Sequence, residues 1–202
     1  MIFFITIPAA VGLILLREPI VELLFGRGAF DAESTRMTAY ALLCYSVGLW
    51  AFSAVRIVVA TFYAIQDTRT PVKMATYSII ANIGLAVALM GPLGHGGLAL
   101  ATSVSSMLNL ALLTIVLHHK LGGLYWKKII VSTAKTVLNA IFMAGILALG
   151  ILRFPPDLAG SAANLTVYVT TAIASGLFLY VSVALIFQRS ELNAVISMVK
   201  RN

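Results

Sequence analysis

The segment MATYSIIANIGLAVALMGPLGHGGLALATSVSSMLNLALLTIVL, residues 74–117, contains two long apolar runs and no Asp, Glu, Lys or Arg. The turn-forming residues Gly91–Gly97 separate the runs 74–93 and 96–117. A helix of about 20 apolar residues crosses the hydrocarbon core of a bilayer, and backbone groups in lipid are satisfied within such a helix. The segment therefore predicts two membrane-spanning helices that are antiparallel neighbours.

The whole chain has a composition typical of membrane proteins. Of its 202 residues, 60% are hydrophobic and 10% are charged, whereas an ordinary soluble domain has about 25% charged residues. This composition excludes soluble enzymes, disordered tails and disulfide-stapled secreted modules. We predict an all-α, polytopic transmembrane helix bundle with six spans, at 2–16 (which could extend to 24), 37–65, 74–93, 96–117, 129–152 and 163–187.

Basic residues alternate between the predicted loops. The 66–73 loop holds Arg69 and Lys73 and the 118–128 loop holds three lysines, whereas the 91–97 loop holds no Lys or Arg. Loops rich in Lys and Arg remain in the cytoplasm, so both ends of the chain are predicted to be cytoplasmic. The net charge of +7 is thus explained by topology, and no nucleic-acid partner is expected. The tail, 188–202, predicts an amphipathic helix that lies on the inner leaflet or packs beneath the bundle.

Arg56 is the main candidate functional residue, because it lies about 15 Å from the cytoplasmic loop at 1.5 Å per helical residue. Tyr45 and Tyr63 fall on the same helical face, with Ser53 nearby. Charged side chains inside a membrane are costly, so this stripe predicts a face toward a hydrated cavity or an anionic group. The alternative is an arginine that is bound by backbone carbonyls or that snorkels to the interface.

Two further polar sets lie within the predicted spans. Asn82 and a face that includes Thr102 could meet across the 91–97 turn, where they could form an ion site of oxygen atoms or interhelical hydrogen bonds. On the fifth span, Lys128 and Lys135 enter from the cytoplasm and could reach lipid phosphates or snorkel to the interface.

Signals for catalysis, metals and cofactors are weak. The three histidines, His95, His118 and His119, have no acidic partners at metal-binding spacing, and no paired-aspartate motif for magnesium and a diphosphate is found. We therefore predict neither a metal site nor a cofactor, and we do not expect an enzyme.

Three segments together resemble the MurJ (MviN) family of lipid II flippases, which belongs to the MOP transporter superfamily. These segments are PAAVGL at 8–13, EPIVELLFGRGAFD at 18–31 and FYAIQDTRTP at 62–71. The family has fourteen transmembrane helices with both termini cytoplasmic. The resemblance implies that this chain is the last six: four helices of the second lobe (1–117), two extra helices (118–187) and the tail (188–202). The amino terminus, which is apolar from the outset, also suggests the end of a longer protein.

The resemblance implies a function in cell wall biogenesis at the bacterial inner membrane. Such a flippase moves undecaprenyl-diphosphate-linked peptidoglycan precursor from the inner to the outer leaflet by alternating access. Its partners would be this lipid-linked cargo, membrane lipids and the missing amino-terminal helices, which in the family carry the main arginine cluster. The helices at 129–152 and 163–187 would line a groove for the lipid tail. The alternative is a non-transporting membrane scaffold or an inactive split remnant.

The family resemblance also bears on the polar set around Asn82. Some members bind sodium through an Asn and an Asp on one helix and a Thr on the next, which Asn82 and Thr102 match. Ala86 stands in the position of the aspartate, so the implied ion site is degenerate.

Overall fold

A computed structural model describes residues 2–123, 126–158, 160–189 and 191–192, which form helices without any strand. The helices are α1 (Ile2–Leu15), α2 (Arg17–Phe25), α3 (Ala32–Ala64), α4 (Arg69–Lys120), α5 (Trp126–Arg153) and α6 (Ala162–Phe187). Four of them, α3 to α6, are long and apolar enough to cross a membrane, and the bent pair of α1 and α2 would add a fifth span. The predicted all-α membrane bundle is confirmed.

Helix α4 contains two of the six predicted spans. If its 52 residues were straight, it would be about 78 Å long, whereas the hydrocarbon core is about 30 Å thick. Gly94 interrupts it with φ 53° and ψ −132°, a conformation that glycine adopts readily. Asn82 Nδ2 lies 3.0 Å from Ser105 Oγ, so the two halves fold back on each other. The turn is narrower than the predicted 91–97 loop, because only Gly94 leaves the helical conformation.

The first predicted span bends where the sequence analysis allowed it to continue. Helix α1 ends at Leu15, α2 begins at Arg17, and their axes differ by 75°, so a single helix extending to residue 24 is wrong. Pro19 has no N–H to donate to the carbonyl of Leu15 and its ring would clash there, which ends α1. The Arg17 guanidinium donates to the carbonyl of Ile14 at 2.8 Å and so satisfies one carbonyl at this end.

The glycine-rich connection from α2 to α3 is fixed by local contacts. A Cβ atom at Gly26 would lie 2.5 Å from the carbonyl oxygen of Glu22, and Gly28 has a φ of +63°, so both positions require glycine. Asp31 Oδ1 accepts a hydrogen bond from the Ser34 amide at 2.9 Å, so Asp31 is the N-cap of α3. This bond lowers the pKa of the Asp31 carboxyl below its usual value.

The chain divides into two compact units. One comprises residues 3–39 and the described residues from 128 onward; α2 packs against α6 in it, and Phe4, Met143, Leu147 and Tyr180 lie in its core. The other comprises residues 40–127, with a core built around Phe62, Leu113 and Leu117. The functional boundaries predicted at 117 and 187 stay predictions. Of the predicted tail helix, residues 190 and 193–202 lie outside the described residues.

Candidate functional site

An apolar cavity of about 560 Å³ opens among α1, α2, α5 and α6, within the range of ligand pockets in proteins. Its walls include Pro8 and Gly12 of α1, Leu147 of α5, and Gly176 and Tyr180 of α6. A Cβ atom at Gly12 would meet no other atom within 4 Å, so the missing side chain leaves open space there. The cavity can accommodate an apolar chain.

Among the described residues of this wall, only Tyr180 carries a hydroxyl, and that hydroxyl already has a hydrogen-bond partner. Tyr180 is 3% exposed, and its hydroxyl donates to the carbonyl oxygen of Phe4 at 2.8 Å. The rings of Phe4 and Tyr180 lie 5.1 Å apart. Since this hydroxyl has its partner, the cavity presents an apolar surface and selects against polar ligands.

The Arg56 stripe lies along the exposed side of α3. Arg56 is exposed, Ser53 is half-buried, and Tyr45 and Tyr63 are 43% and 54% exposed. The two tyrosines are about 27 Å apart along the helix at 1.5 Å per residue, with Arg56 between them. Within the described part of the chain, Arg56 makes no hydrogen bond or ion pair. Its guanidinium is therefore available to a ligand, and its place in a cavity stays a prediction.

The polar set around Asn82 forms a second, smaller cavity of about 330 Å³ between the two halves of α4, with α3 at its edge. Asn82 Nδ2 donates to Thr102 Oγ1 at 3.4 Å and to Ser105 Oγ at 3.0 Å, so the structure brings Asn82 and Thr102 together through interhelical hydrogen bonds. Asn109 also lines this cavity, and its Oδ1 is buried without a hydrogen-bond partner among the described residues. The cavity offers neutral oxygens and no carboxylate.

The lysines predicted to contact headgroups, Lys128 and Lys135, are both exposed on α5. Seven residues separate them, so they share one face and lie about 10 Å apart. Lys135 also borders a third cavity, of about 420 Å³, between α5 and α6. Gln188, just beyond the end of α6, lines the same cavity. Sequence analysis missed Gln188, since a polar residue after an apolar span is common and carries no specific signal.

The motif QDTRTP at 66–71 organises the ends of α4. Asp67 Oδ1 accepts hydrogen bonds from the amides of Arg69 at 3.2 Å and Thr70 at 3.0 Å, while Oδ2 pairs with the ammonium of Lys120. The hydrogen bond from Lys120 and those from Thr70 hold the pKa of the Asp67 carboxyl well below its usual range. One carboxylate thus caps the start of α4 and holds its last residue beside it.

The family model described as "Lipid II flippase MurJ" matches residues 1–168. The chain belongs to the MurJ family. A Vibrio cholerae relative described as "Probable lipid II flippase MurJ" is 38% identical over 159 residues, which cover 78% of this chain and 29% of the relative. A Rhizobium meliloti relative with the same description is 34% identical over 202 residues, covering 98% of this chain and 37% of the relative.

The fold agrees with this membership. A solved structure described as "Lipid II flippase MurJ, inward closed conformation" matches with a TM-score of 0.79 and 27% identity, covering 94% of this chain and 37% of that one. The chain spans about a third of the length of the curated relatives it matches. The resemblance based on three segments is confirmed, and the chain is a MurJ-type multi-pass membrane protein. Arg56, Asn82 and Lys135 fall within the matched residues 1–168, whereas Tyr180 and Gln188 lie beyond them.

Proposed function

We propose that this chain supplies the carboxyl-terminal helices of a lipid II flippase in the bacterial inner membrane. With the other helices of the transporter, it would move undecaprenyl-diphosphate-linked peptidoglycan precursor from the inner to the outer leaflet by alternating access. The observation that carries the proposal is the apolar cavity among α1, α2, α5 and α6. Its apolar walls and its satisfied hydroxyl suit a segment of a polyprenyl tail, which offers only apolar contacts.

The cavity would guide the tail without supplying much affinity. Membrane lipid tails are as apolar as leucine, so moving a polyprenyl chain from lipid into an apolar protein groove gains little free energy. Shape and access therefore decide whether the tail enters, and small residues such as Gly12 and Gly176 provide the width. Selectivity for the cargo must come from its polar end.

Arg56 is the proposed contact for that polar end. A guanidinium binds phosphate oxygens through two parallel N–H···O bonds, and Arg56 has no partner among the described residues. The hydroxyls of Tyr45, Ser53 and Tyr63 would add donors along the same side of α3. Lys128 and Lys135 would contact lipid phosphates at the end of α5 that the distribution of basic loops predicts to be cytoplasmic.

The set around Asn82 is proposed as a degenerate ion site. Asn82 Nδ2 is committed to two hydroxyl acceptors, which leaves Oδ1 as the amide atom for a ligand. Neutral oxygens coordinate a cation more weakly when no carboxylate offsets its charge. This argument favours a structural role for the hydrogen bonds at this place over tight sodium binding.

A chimera tests the proposed function. The segment of the Rhizobium meliloti relative that matches 98% of this chain would be replaced by the corresponding part of this chain, and the chimera would be expressed in a strain depleted of its own lipid II flippase. We expect restored growth and restored exposure of lipid II on the outer leaflet. Arg56→Ala should abolish both at an unchanged membrane level, and Arg69→Ala, at an exposed arginine in the 66–71 motif, is the matched control.

Failure of the chimera would have a specific meaning. If it reaches the membrane at the level of the parent protein but restores neither growth nor lipid II exposure, the chain is a scaffold or an inactive remnant. If the chimera works and Arg56→Ala works equally well, the flippase proposal stands and the role of Arg56 is refuted.

A further inference from the structure

The third cavity, of about 420 Å³ between α5 and α6, has the features of a built ligand site. It shares no lining residue with the apolar cavity proposed for the cargo tail. Two amide side chains line it, from Asn139 on α5 and from Gln188 after α6, and each is only 4% exposed. Lys135 lies one helical turn before Asn139 at the same cavity.

Both amides carry an acceptor oxygen without a donor. Asn139 Nδ2 donates to the carbonyl of Tyr180 at 3.2 Å, which fixes the amide orientation and leaves Oδ1 unsatisfied. Gln188 Oε1 is likewise buried without a hydrogen-bond partner. A buried acceptor in an apolar setting is costly when it has no donor. No described residue donates to either oxygen, so a donor on a bound molecule would satisfy both.

The remaining features of the cavity identify a lipid. Leu138, Phe142 and Phe187 line it and are 67%, 53% and 69% exposed, a surface that suits acyl chains. Lys135 makes no hydrogen bond or ion pair within the described residues, so its ammonium is available for a phosphate. A glycerophospholipid whose headgroup carries hydrogen-bond donors matches the two unsatisfied acceptor oxygens, the apolar surface and the ammonium of Lys135.

The end of α6 favours a cationic donor. Gln188 is the C-cap residue of α6, and its backbone N–H donates to the carbonyl of Ala184. The last carbonyls of a helix carry a partial negative charge that attracts cations. An ammonium also forms stronger, charge-assisted hydrogen bonds than a hydroxyl does.

We propose that this cavity binds phosphatidylethanolamine from the surrounding membrane. The lipid phosphate contacts Lys135, and the ammonium donates to Asn139 Oδ1 and Gln188 Oε1. The site shares no lining residue with the apolar cavity proposed for the cargo tail, and lipid binding here does not require that the chain transports lipid II.

Native mass spectrometry of the purified chain with added lipids tests this site. Phosphatidylethanolamine and phosphatidylcholine with identical acyl chains carry the same charges, but the choline headgroup has no N–H donor. We expect phosphatidylethanolamine to bind about tenfold more tightly, the effect of a charge-assisted hydrogen bond. Gln188→Met, which keeps the side-chain length without the amide, should reduce this preference, and Lys127→Met, at an exposed lysine outside the cavity, should not.

Several results would overturn the proposal. Equal retention of the two lipids by the unmodified chain would do so, and this measurement does not depend on the folding of any variant. Stronger binding of phosphatidylglycerol than of phosphatidylethanolamine would refute the assignment of the lipid ammonium as the hydrogen-bond donor. An unchanged preference in a folded Gln188→Met variant would refute the assigned acceptor and leave water as the donor.

Discussion

The hydroxyl of Tyr180 in α6 donates a 2.8 Å hydrogen bond to the backbone carbonyl of Phe4 in α1. In an α-helix that carbonyl would accept from the N–H of the residue four positions later, which here is Pro8 and has no N–H. A proline within a membrane helix is tolerated where a neighbouring helix satisfies the freed carbonyl. Tyr180 thus compensates for Pro8 and joins α6 to α1 beside the apolar cavity.

This relationship predicts that the effects of changes at Tyr180 and Pro8 are coupled. Tyr180→Phe should lower the free energy of unfolding by about 1–3 kcal/mol, because it leaves a buried carbonyl unsatisfied. In a Pro8→Ala background the new N–H can bond to the Phe4 carbonyl, so the same substitution should cost less. Unfolding of the four proteins in detergent measures the coupling. If Tyr180→Phe lowers the free energy of unfolding equally with Pro8 in place and in the Pro8→Ala background, the two positions are not coupled.

A second prediction concerns the close approach of α3 and the second half of α4. A Cβ atom at Gly48 would lie 2.7 Å from Cβ and 2.8 Å from Cα of Ser103, whose hydroxyl donates to the Cys44 carbonyl at 2.7 Å. Gly48→Ala should therefore destabilise the protein by about 1–3 kcal/mol, the typical cost of overpacking. Thermal unfolding in detergent measures this change.

Gly84→Ala is the matched control for Gly48→Ala. Gly84 is also a helical glycine, but a Cβ atom there would meet no other atom within 4 Å. Because alanine favours a helix over glycine by about 1 kcal/mol, Gly84→Ala should leave the stability unchanged or raise it. If both substitutions have the same effect, the contact between Gly48 and Ser103 has no special role.

The sequence was informative where the signal is local. The two apolar runs around Gly94 predicted an antiparallel pair of helices, because the lengths of the runs and the turn residues between them are enough to define it. The predicted span 2–16 agrees with α1, whereas its possible extension to 24 was wrong, because Pro19 cannot donate to the carbonyl of Leu15 and ends the helix there.

Parts of the candidate site depended on tertiary packing. Gln188 follows the last apolar residue of α6, where a polar side chain is ordinary, and its burial follows from the position of α5. The apolar cavity likewise uses α1 and α2 as well as the two helices that the resemblance implied. Which helices face each other is a non-local property that a single sequence does not encode in any one stretch.

A third prediction concerns pH. The bonds from Lys120 and Thr70 lower the pKa of Asp67 in the folded protein, so the ionised carboxylate stabilises the fold. This contribution is complete above the unfolded-state pKa of about 4 and is lost as the pH falls further, through the folded-state value. Thermal stability should therefore decrease below about pH 4, and more gradually in Lys120→Met.

High salt provides an independent check on the pair of Asp67 and Lys120. Lys120 is exposed enough for ions to screen the interaction, so added salt at neutral pH should narrow the difference in thermal stability between the unmodified protein and Lys120→Met. Asp67→Asn keeps an oxygen that accepts from the amides of Arg69 and Thr70 but removes the charge. Its thermal stability should therefore respond to added salt as that of Lys120→Met does. An identical acid profile in all three proteins would show that Asp67 does not control the acid response.

The last prediction tests whether the apolar cavity is used in transport. Gly12→Leu places a side chain in open space, so it should fill part of the cavity with little steric strain and exclude an apolar tail. In the Rhizobium meliloti chimera we expect lipid II exposure and growth to fall severalfold while the membrane level is unchanged. Gly145→Leu is the matched control, because Gly145 is exposed on α5, has equal open space and does not line the cavity. Full activity of Gly12→Leu would exclude this cavity from the path of the cargo tail.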